Sequence, residues 1–211
     1  MSKTLTSSDS EYWNSYYRES KAPTLPSQFA VHVADTLEAK KVILDLGCGN
    51  GRDSSYFCRE GHTVLSLDTS HEALLEVTKN SNSKAFPILA DAATVTPTKP
   101  FADVVYSRFS LHSMDKDSYL SCIKNVETML VEGGSFWIEV RSTEDELYEQ
   151  GDFVEECVYK TDHSRRFSTL KGIVNDLENL SFDILFAKEQ RGWAMYEDQD
   201  PKVIRIHCRR K

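Results

Sequence analysis

Glycines recur at every second position directly after an apolar run near residue 45. The segment reads Asp45-Leu46-Gly47-Cys48-Gly49-Asn50-Gly51. Because glycine adopts positive φ and lets the backbone approach a ligand closely, this spacing predicts a ligand-binding turn. A dinucleotide fingerprint would need glycine at position 52, which is Arg52, and a P-loop would need Gly-Lys-Ser/Thr. A purely structural turn between strand and helix is the alternative.

Acidic residues end the next two predicted strands. Asp68 follows Leu65-Ser66-Leu67, and its carboxylate could accept both hydroxyls of a ribose. Asp91 lies in Leu89-Ala90-Asp91-Ala92 and could accept from an adenine amino group. The alternatives are a helix N-cap near Ser70 for Asp68 and an ordinary turn aspartate for Asp91.

Basic residues cluster near the ends of later strands. The planar guanidinium group of arginine binds carboxylates and phosphates well, so these residues predict that the substrate is a small anionic molecule. The alternative is that they form salt bridges with acidic residues close in sequence. The predicted substrate-binding residues are Arg108, His112, Arg141, His163, Arg165 and Arg166; the competing acidic residues are Glu144, Asp145, Glu146, Glu155 and Glu156.

The elements that must position these residues alternate between strand-like and helix-like segments. This alternation predicts an α/β fold with a mostly parallel sheet, in which ligands bind at the carboxyl ends of the strands. The predicted strands are 41–46, 62–68, 85–91, 102–109, 135–140, 182–189 and 203–208. The predicted helices are 53–60, 70–80, 116–130 with a stop at Gly133-Gly134, and 168–179, with another helix starting near Ser27.

Four segments together resemble the class I S-adenosylmethionine-dependent methyltransferases: VILDLGCGNG (42–51), LSLD (65–68), LADA (89–92) and DVVYSRFSLH (103–112). The resemblance implies a Rossmann-like seven-stranded sheet whose last strand is antiparallel. It implies S-adenosylmethionine as cofactor and S-adenosylhomocysteine as product. It places Gly47, Cys48 and Gly49 against the methionine part of the cofactor, Asp68 on the ribose, and Asp91 and Ala92 on the adenine. It places Ser107 and Arg108 near the methyl group. We expect Asp45 and Thr69 to contact the cofactor as well.

Two regions depart from the alternation within what we expect to be a single domain over residues 1–211. Residues 9–38 contain an aromatic segment with Tyr12, Trp13, Tyr16 and Tyr17 on one helical face. We expect a lid in which Tyr12, Trp13 and Tyr17 contact the cofactor; a docked structural helix is the alternative. Residues 143–166 are expected to form an excursion on the substrate side. Arg52 could pair with the cofactor's carboxylate or lie on the surface.

Methyl transfer from a sulfonium requires positioning of the acceptor and, for a protic acceptor, removal of a proton. The predicted catalytic residues are His112 as the first candidate base, His163 as the second, and Arg108. A phosphate or carboxylate oxygen would need no base. We expect transfer to oxygen; the alternatives are N-methylation of a small molecule or protein, and a SAM-binding regulatory subunit without catalysis. Because Arg108 and Arg141 stand where metal-binding carboxylates would be needed, we expect no metal.

Composition and net charge limit the classes of partner that the chain can bind. The chain has 211 residues and a formal net charge of −8, which disfavours nucleic acid and anionic membranes as partners. Its five scattered cysteines, the absence of a signal peptide and the absence of a long apolar stretch favour a cytoplasmic enzyme. The oligomeric state stays open, and Trp193 and Tyr196 are equally compatible with core, dimer surface or pocket wall.

Overall fold

A seven-stranded sheet forms the centre of the molecule in this computed structural model, which describes residues 8–19, 22–80 and 85–211. Its order is β3-β2-β1-β4-β5-β10-β9, and β10 alone runs antiparallel to its neighbours β5 and β9. This confirms the Rossmann-like methyltransferase sheet. The strands are β1 Val42–Leu46, β2 Thr63–Asp68, β3 Ala85–Leu89, β4 Ala102–Arg108, β5 Leu130–Arg141, β9 Phe182–Gln190 and β10 Val203–Arg210.

Helices cover both faces of this sheet. One core packs α2, α3 and α4 against one face, and a second packs α5 and α6 against the other. The central strand β1 lies between the two cores, which is why it is apolar on both sides. None of the described helices is long and apolar enough to cross a membrane. The helices are α1 Ser8–Arg18, α2 Gln28–Asp35, α3 Arg52–Arg59, α4 His71–Asn80, α5 Lys116–Met129 and α6 Leu170–Glu178.

The predicted helix stop at Gly133-Gly134 is wrong. The α5 helix ends at Met129, and Leu130 is already extended and pairs with Ala102 as the first residue of β5. Both glycines lie inside β5, next to a shift in its pairing with β4, and Gly133 has φ +72°. Burial of Leu130 between sheet and helix holds the chain extended before the glycines are reached.

Residues 143–166 contain regular structure that the sequence did not indicate. Three short antiparallel strands form a second sheet: β6 Asp152–Glu155, β7 Val158–Lys160 and β8 Ser164–Arg166. Strand β8 packs against the short 3₁₀ turn Leu111–Ser113 that follows β4. The turn between β7 and β8 therefore brings His163 to the edge of the main sheet where β4 ends.

Candidate functional site

A cavity of about 970 Å³ opens at the carboxyl ends of β1, β2, β4 and β5. Its two ends differ in chemistry, and we name them by their residues. The glycine-loop end comprises Asp45, Gly47–Asn50, Asp68, Thr69, Asp91 and Ala92; the arginine end comprises Arg108, Phe109, His112, Arg141, His163 and Arg165.

The glycine loop takes the conformation that its composition predicts. Gly47, Gly49 and Gly51 have φ of +70°, +55° and +73°. The amides of Gly47 and Cys48 both donate to the Leu67 carbonyl, at 2.8 and 3.0 Å, which folds the loop against β2. A Cβ on Gly49 would lie 2.3 Å from the Tyr17 hydroxyl oxygen, so glycine is needed here for α1 to approach.

Asp68 stands at the end of β2 and lines the cavity. Its Oδ2 accepts from the Gly49 amide at 2.9 Å and its Oδ1 from the Ser70 amide at 2.8 Å. Burial raises the pKa of this carboxyl, while the backbone donors oppose that shift. The N-cap of α4 is the Ser70 hydroxyl, which accepts from the Ala73 amide, so Asp68 is not the side-chain cap.

Asp45 lies at the bottom of the glycine-loop end. It accepts from the Ser54 hydroxyl at 2.6 Å, and Ser66 donates to Ser54 behind it. Burial, reinforced by the Asp53 carboxylate, raises the pKa of Asp45 to about 7. The second strand-end carboxylate, Asp91, is exposed and accepts from the Ala93 amide, so it also serves as a turn residue.

A buried polar cluster that sequence reasoning missed supports this end. Asp53 accepts from the Ser27 amide at 2.7 Å, from its hydroxyl at 2.8 Å and from the Tyr106 hydroxyl at 2.8 Å. It thereby joins α2, α3 and β4. Arg52 donates to the Leu25 carbonyl at 3.3 Å and lies 3.8 Å from Asp53, on the cavity wall. A Ser N-cap and an Asp in the first turn of the next helix are the only local signals of this cluster.

Arg108 is held at the arginine end by a fully buried carboxylate. Its Nε donates to Glu139 at 2.8 Å, and Arg205 donates to the other oxygen of Glu139 at 2.6 Å. The Arg205 guanidinium lies 4.8 Å from the rings of both Phe29 and Trp193. Two arginines thus share one carboxylate, which leaves a net positive charge beside the cavity.

The other two arginines of the arginine end also pair with carboxylates. Arg141 donates to Asp145 at 2.9 Å and Arg165 to Asp162 at 2.7 Å. Salt bridging, the alternative considered from the sequence, is therefore present. The partner carboxylates of all three arginines do not line the cavity, whereas the arginines do. The arginines therefore stand between the cavity and the carboxylates that hold them.

Phe109 sits between these charged groups in a strained conformation. Its φ is +58°, which is uncommon for a bulky residue and characteristic of functional sites. Its ring stacks on His112 at a centroid distance of 5.1 Å and carries the Arg108 guanidinium at 4.4 Å. The strained turn after β4 therefore places an arginine and a histidine on one aromatic ring.

His112 and His163 meet at the arginine end with ring centroids 6.3 Å apart. Both are buried, with 6% of each exposed. Burial, then the neighbouring His163 and the nearby arginines, lower the pKa of His112 well below its usual range. Burial, then Arg165, lower the pKa of His163 to about 4. Both imidazoles are therefore neutral at pH 7.

Helix α1 crosses from one end of the cavity to the other. Trp13 and Tyr17 line the cavity, and Tyr17 contacts the glycine loop. At the other end the Tyr12 hydroxyl donates to Asp162 at 2.7 Å, and Trp13 packs 4.8 Å from His163. The sequence did not decide whether Trp193 and Tyr196 belong to the core, a dimer surface or a pocket wall; in the structure both line the cavity.

Three sequence-predicted site residues lie outside the cavity. Ser107 is fully buried, because alternation along β4 turns Tyr106 and Arg108 to the cavity and Ser107 to the opposite face of the sheet. Arg166 turns away and binds Glu155 and the Met114 carbonyl. Tyr12 reaches past the cavity to Asp162. The remaining predicted residues all line the cavity.

Comparisons with known proteins agree with this geometry. Residues 43–134 match the family model of a methyltransferase domain. A malonyl-[acyl-carrier protein] O-methyltransferase from Hamiltonella defensa is 34% identical over 76 residues. That match covers 36% of this chain and 29% of the relative, so the chain matches under a third of the length of this curated protein.

Solved structures share the fold over nearly the whole chain. A SAM-dependent methyltransferase from Methanosarcina mazei superposes with a TM-score of 0.76 at 20% identity, covering 85% of this chain and 96% of that one. A 1,6-didemethyltoxoflavin-N1-methyltransferase from Burkholderia thailandensis, solved with S-adenosylhomocysteine, gives a TM-score of 0.73 at 16% identity. It covers 100% of this chain and 93% of that one. At such identities these structures establish the fold alone.

Proposed function

We propose that this chain, whose residues 43–134 match a methyltransferase domain, is a class I S-adenosylmethionine-dependent methyltransferase that transfers a methyl group to an oxygen of a small anionic acceptor. The observation that carries the acceptor class is the trio Arg108, Arg141 and Arg165, which face the cavity while their carboxylate partners lie outside it.

The glycine-loop end fits the methyl donor. The Gly47–Gly51 loop offers a backbone surface without side chains in the way, and Asp68 offers carboxylate lone pairs at the end of β2. Asp91 and Ala92 stand where an adenine would lie if Asp68 holds the ribose. Arg52, on the wall of the same end, is placed to pair with the carboxylate of the methionine part.

The arginine end fits an anion better than a cation. Each arginine is fixed by its carboxylate, so its orientation is set before a ligand arrives. Among the described residues, an ammonium acceptor would meet three guanidinium groups and two neutral imidazoles here, and the cavity-lining carboxylate that acts on Arg108, Asp53, is already engaged by Ser27 and Tyr106. This arrangement favours O-methylation over N-methylation of a small amine.

Catalysis in this proposal depends on positioning. S-adenosylmethionine supplies a methyl group on a sulfonium, which is already an activated leaving group. The chain's part is to hold the acceptor in line, to exclude water and to manage its proton. The arginines hold the acceptor, α1 and the 193–201 loop cover the cavity, and His112 stands ready as a base, with His163 second.

Calorimetric titration with S-adenosylhomocysteine tests the donor half of the proposal. We expect micromolar binding that weakens about 30- to 150-fold in Asp68→Ala, since a hydrogen-bonded carboxylate contact is worth roughly 2–3 kcal/mol. NAD⁺ serves as the ligand control. Asp183→Ala, a carboxylate at the start of β9 away from the cavity, serves as the matched variant. Equal affinity in wild type and Asp68→Ala would overturn the assignment of the site.

A further inference from the structure

Buried polar atoms without hydrogen-bond partners concentrate at the arginine end. Among the described residues they include Nδ1 of His112, both ring nitrogens of His163 and Nε of Arg141, all on residues that line the cavity. The Nδ1 of His163 lies 3.1 Å from Asp162, without the alignment of a hydrogen bond. Each such atom costs about 1–3 kcal/mol when left unpaired. These atoms have almost no accessible surface, so the cavity does not reach them; the imidazole nitrogen at this end that is not among them is Nε2 of His112.

Two kinds of group meet here, and they have different needs. The arginines are permanently charged and need an anion. The imidazoles are neutral, so they neutralise no charge, and Nε2 of His112 is the ring nitrogen that is left to exchange a hydrogen bond with a ligand. A ligand that satisfies both kinds must carry an anionic group and a separate group that exchanges hydrogen bonds with an imidazole.

We propose, building on the function proposed above, that the acceptor is a hydroxy acid: its anionic group is anchored by Arg108 and Arg141, and the oxygen that receives the methyl group is a separate hydroxyl beside His112. The product is a methyl ether that keeps its acid group. Methylation of the acid itself, which would give an ester, is the competing outcome.

The geometry favours the ether because the arginines bind the acid too well for it to react. Guanidinium donors occupy the lone pairs of the oxygens that they hold, which weakens those oxygens as nucleophiles. A carboxylate acceptor would also need no base, so His112 would then have no proton to remove. A hydroxyl is held less tightly and has a proton to lose.

The chemical step balances within the site. The acceptor oxygen bonds to the methyl carbon as the carbon–sulfur bond breaks, and the sulfonium takes that electron pair to become a neutral thioether. The hydroxyl proton passes to a ring nitrogen of His112. After burial and His163, the charges of Arg141, Arg165 and Arg108 hold the pKa of His112 down. An anion bound between the arginines offsets those charges, so His112 becomes a stronger base once the acceptor is present.

Matched ligand pairs test this assignment on protein loaded with S-adenosylhomocysteine. We choose 4-hydroxybenzoate against benzoate, salicylate against benzoate, and 3-hydroxybutyrate against butyrate, with phenol as the probe that lacks the acid. We expect at least one hydroxy acid to bind about tenfold more tightly than its partner without the hydroxyl, and phenol not to bind. With S-adenosylmethionine, mass spectrometry should find the methyl group as an alkali-stable ether.

Variants separate the two contacts. His112→Phe keeps a ring on Phe109 and should abolish the tenfold preference for the hydroxyl while leaving the affinity for benzoate or butyrate unchanged. Arg141→Gln should weaken both members of each pair equally, by about tenfold or more. His207→Phe is the matched control, because His207 is a half-buried histidine stacked on Trp137, 3.7 Å between centroids, and does not line the cavity. Thermal unfolding and S-adenosylhomocysteine binding verify that each variant folds.

Three results would overturn the assignment: an alkali-labile ester product, a hydroxyl preference that survives in His112→Phe, or a panel in which no acid binds. In each case S-adenosylhomocysteine binding still reports on the donor half of the proposed function. Loss of that binding in the wild-type protein would instead defeat the proposed function itself.

Discussion

The two ends of the cavity are held together in different ways. At the glycine-loop end the key contacts are backbone amides and neighbouring residues, as in the bond from the Ser70 amide to Asp68, two positions earlier. At the arginine end the key contacts are ion pairs: Arg108 and Arg205 reach Glu139 across 31 and 66 residues, while Arg141 and Arg165 pair with carboxylates close to them in sequence. Both ends need distant segments, because the glycine loop is tied to Leu67 and Asp68, and Asp53 is tied to Ser27 and Tyr106. They differ in that hydrogen bonds from backbone amides and hydroxyls hold the first end, whereas ion pairs hold the second.

The placement of charge differs as well. The carboxylates of the glycine-loop end line the cavity, while those of the arginine end stand behind the arginines. Charge at the first end is presented to a ligand, and charge at the second is first balanced inside the protein. Removing a carboxylate should therefore have different consequences at the two ends: it should weaken ligand binding at the glycine-loop end and lower the stability of the fold at the arginine end.

Glu139→Ala should show the largest effect on stability. It leaves two buried arginines without their shared carboxylate, and breaking a buried ion pair in this way costs about 3–5 kcal/mol. Asp91→Ala, at the glycine-loop end, removes an exposed carboxylate and should cost about 1 kcal/mol or less while weakening S-adenosylhomocysteine binding. Urea unfolding of both variants measures the difference. Equal losses of unfolding free energy would contradict the contrast between the ends.

Stability should respond to pH with opposite signs at the two ends. Asp45 has a pKa of about 7, above its unfolded value, so its neutral form is favoured in the fold. Its contribution is present at low pH and lost as pH rises from about 4 to 7. His163 has a pKa of about 4, below its unfolded value, so its contribution is present above about pH 6.5 and lost as pH falls to 4.

Asp45→Asn and His163→Gln measure these contributions by chemical unfolding between pH 4 and 8. Relative to wild type, Asp45→Asn should gain stability progressively toward pH 8, and His163→Gln should gain it progressively toward pH 4, each by roughly 3–4 kcal/mol across its window. A parallel pH dependence in wild type and a variant would show that the side chain in question does not titrate as assigned.

Tyr12→Phe should have the smallest effect. It removes one exposed hydrogen bond to Asp162, worth about 0.5–1 kcal/mol, and leaves the aromatic contacts of α1 in place. We expect a small fall in unfolding temperature and faster proteolysis within α1. Tyr56→Phe, on the outer side of α3, is the matched control and should not change proteolysis of α1.

Local patterns predicted the parts of the fold that depend on neighbouring residues. The apolar run of β1, the glycine turn and the Ser70 cap all carry their signal within a few positions, and the structure confirms these elements. The direction of the Ser107 side chain follows from alternation along β4, which a resemblance over consecutive residues does not include.

Other features could not be predicted because distant segments create them. The pairing of Glu139 with Arg205 requires that β5 and β10 be neighbours, which no local pattern states. The three-stranded sheet over 152–166 is built from strands of three or four residues, too short for a recognisable period. The positive φ of Phe109 goes against the preference of its own side chain and is imposed by its surroundings.

Helix α1 touches both ends of the cavity, with Tyr17 on Gly49 and Tyr12 on Asp162. A ligand that orders this helix at one end also orders it at the other, so the second ligand binds to a helix whose conformational entropy has already been lost. The two binding equilibria are then linked, and by reciprocity each ligand raises the affinity for its partner by the same factor. This linkage through eleven residues of helix adds to whatever contact the donor and acceptor make directly in the transfer step, and it predicts that each ligand tightens the binding of the other.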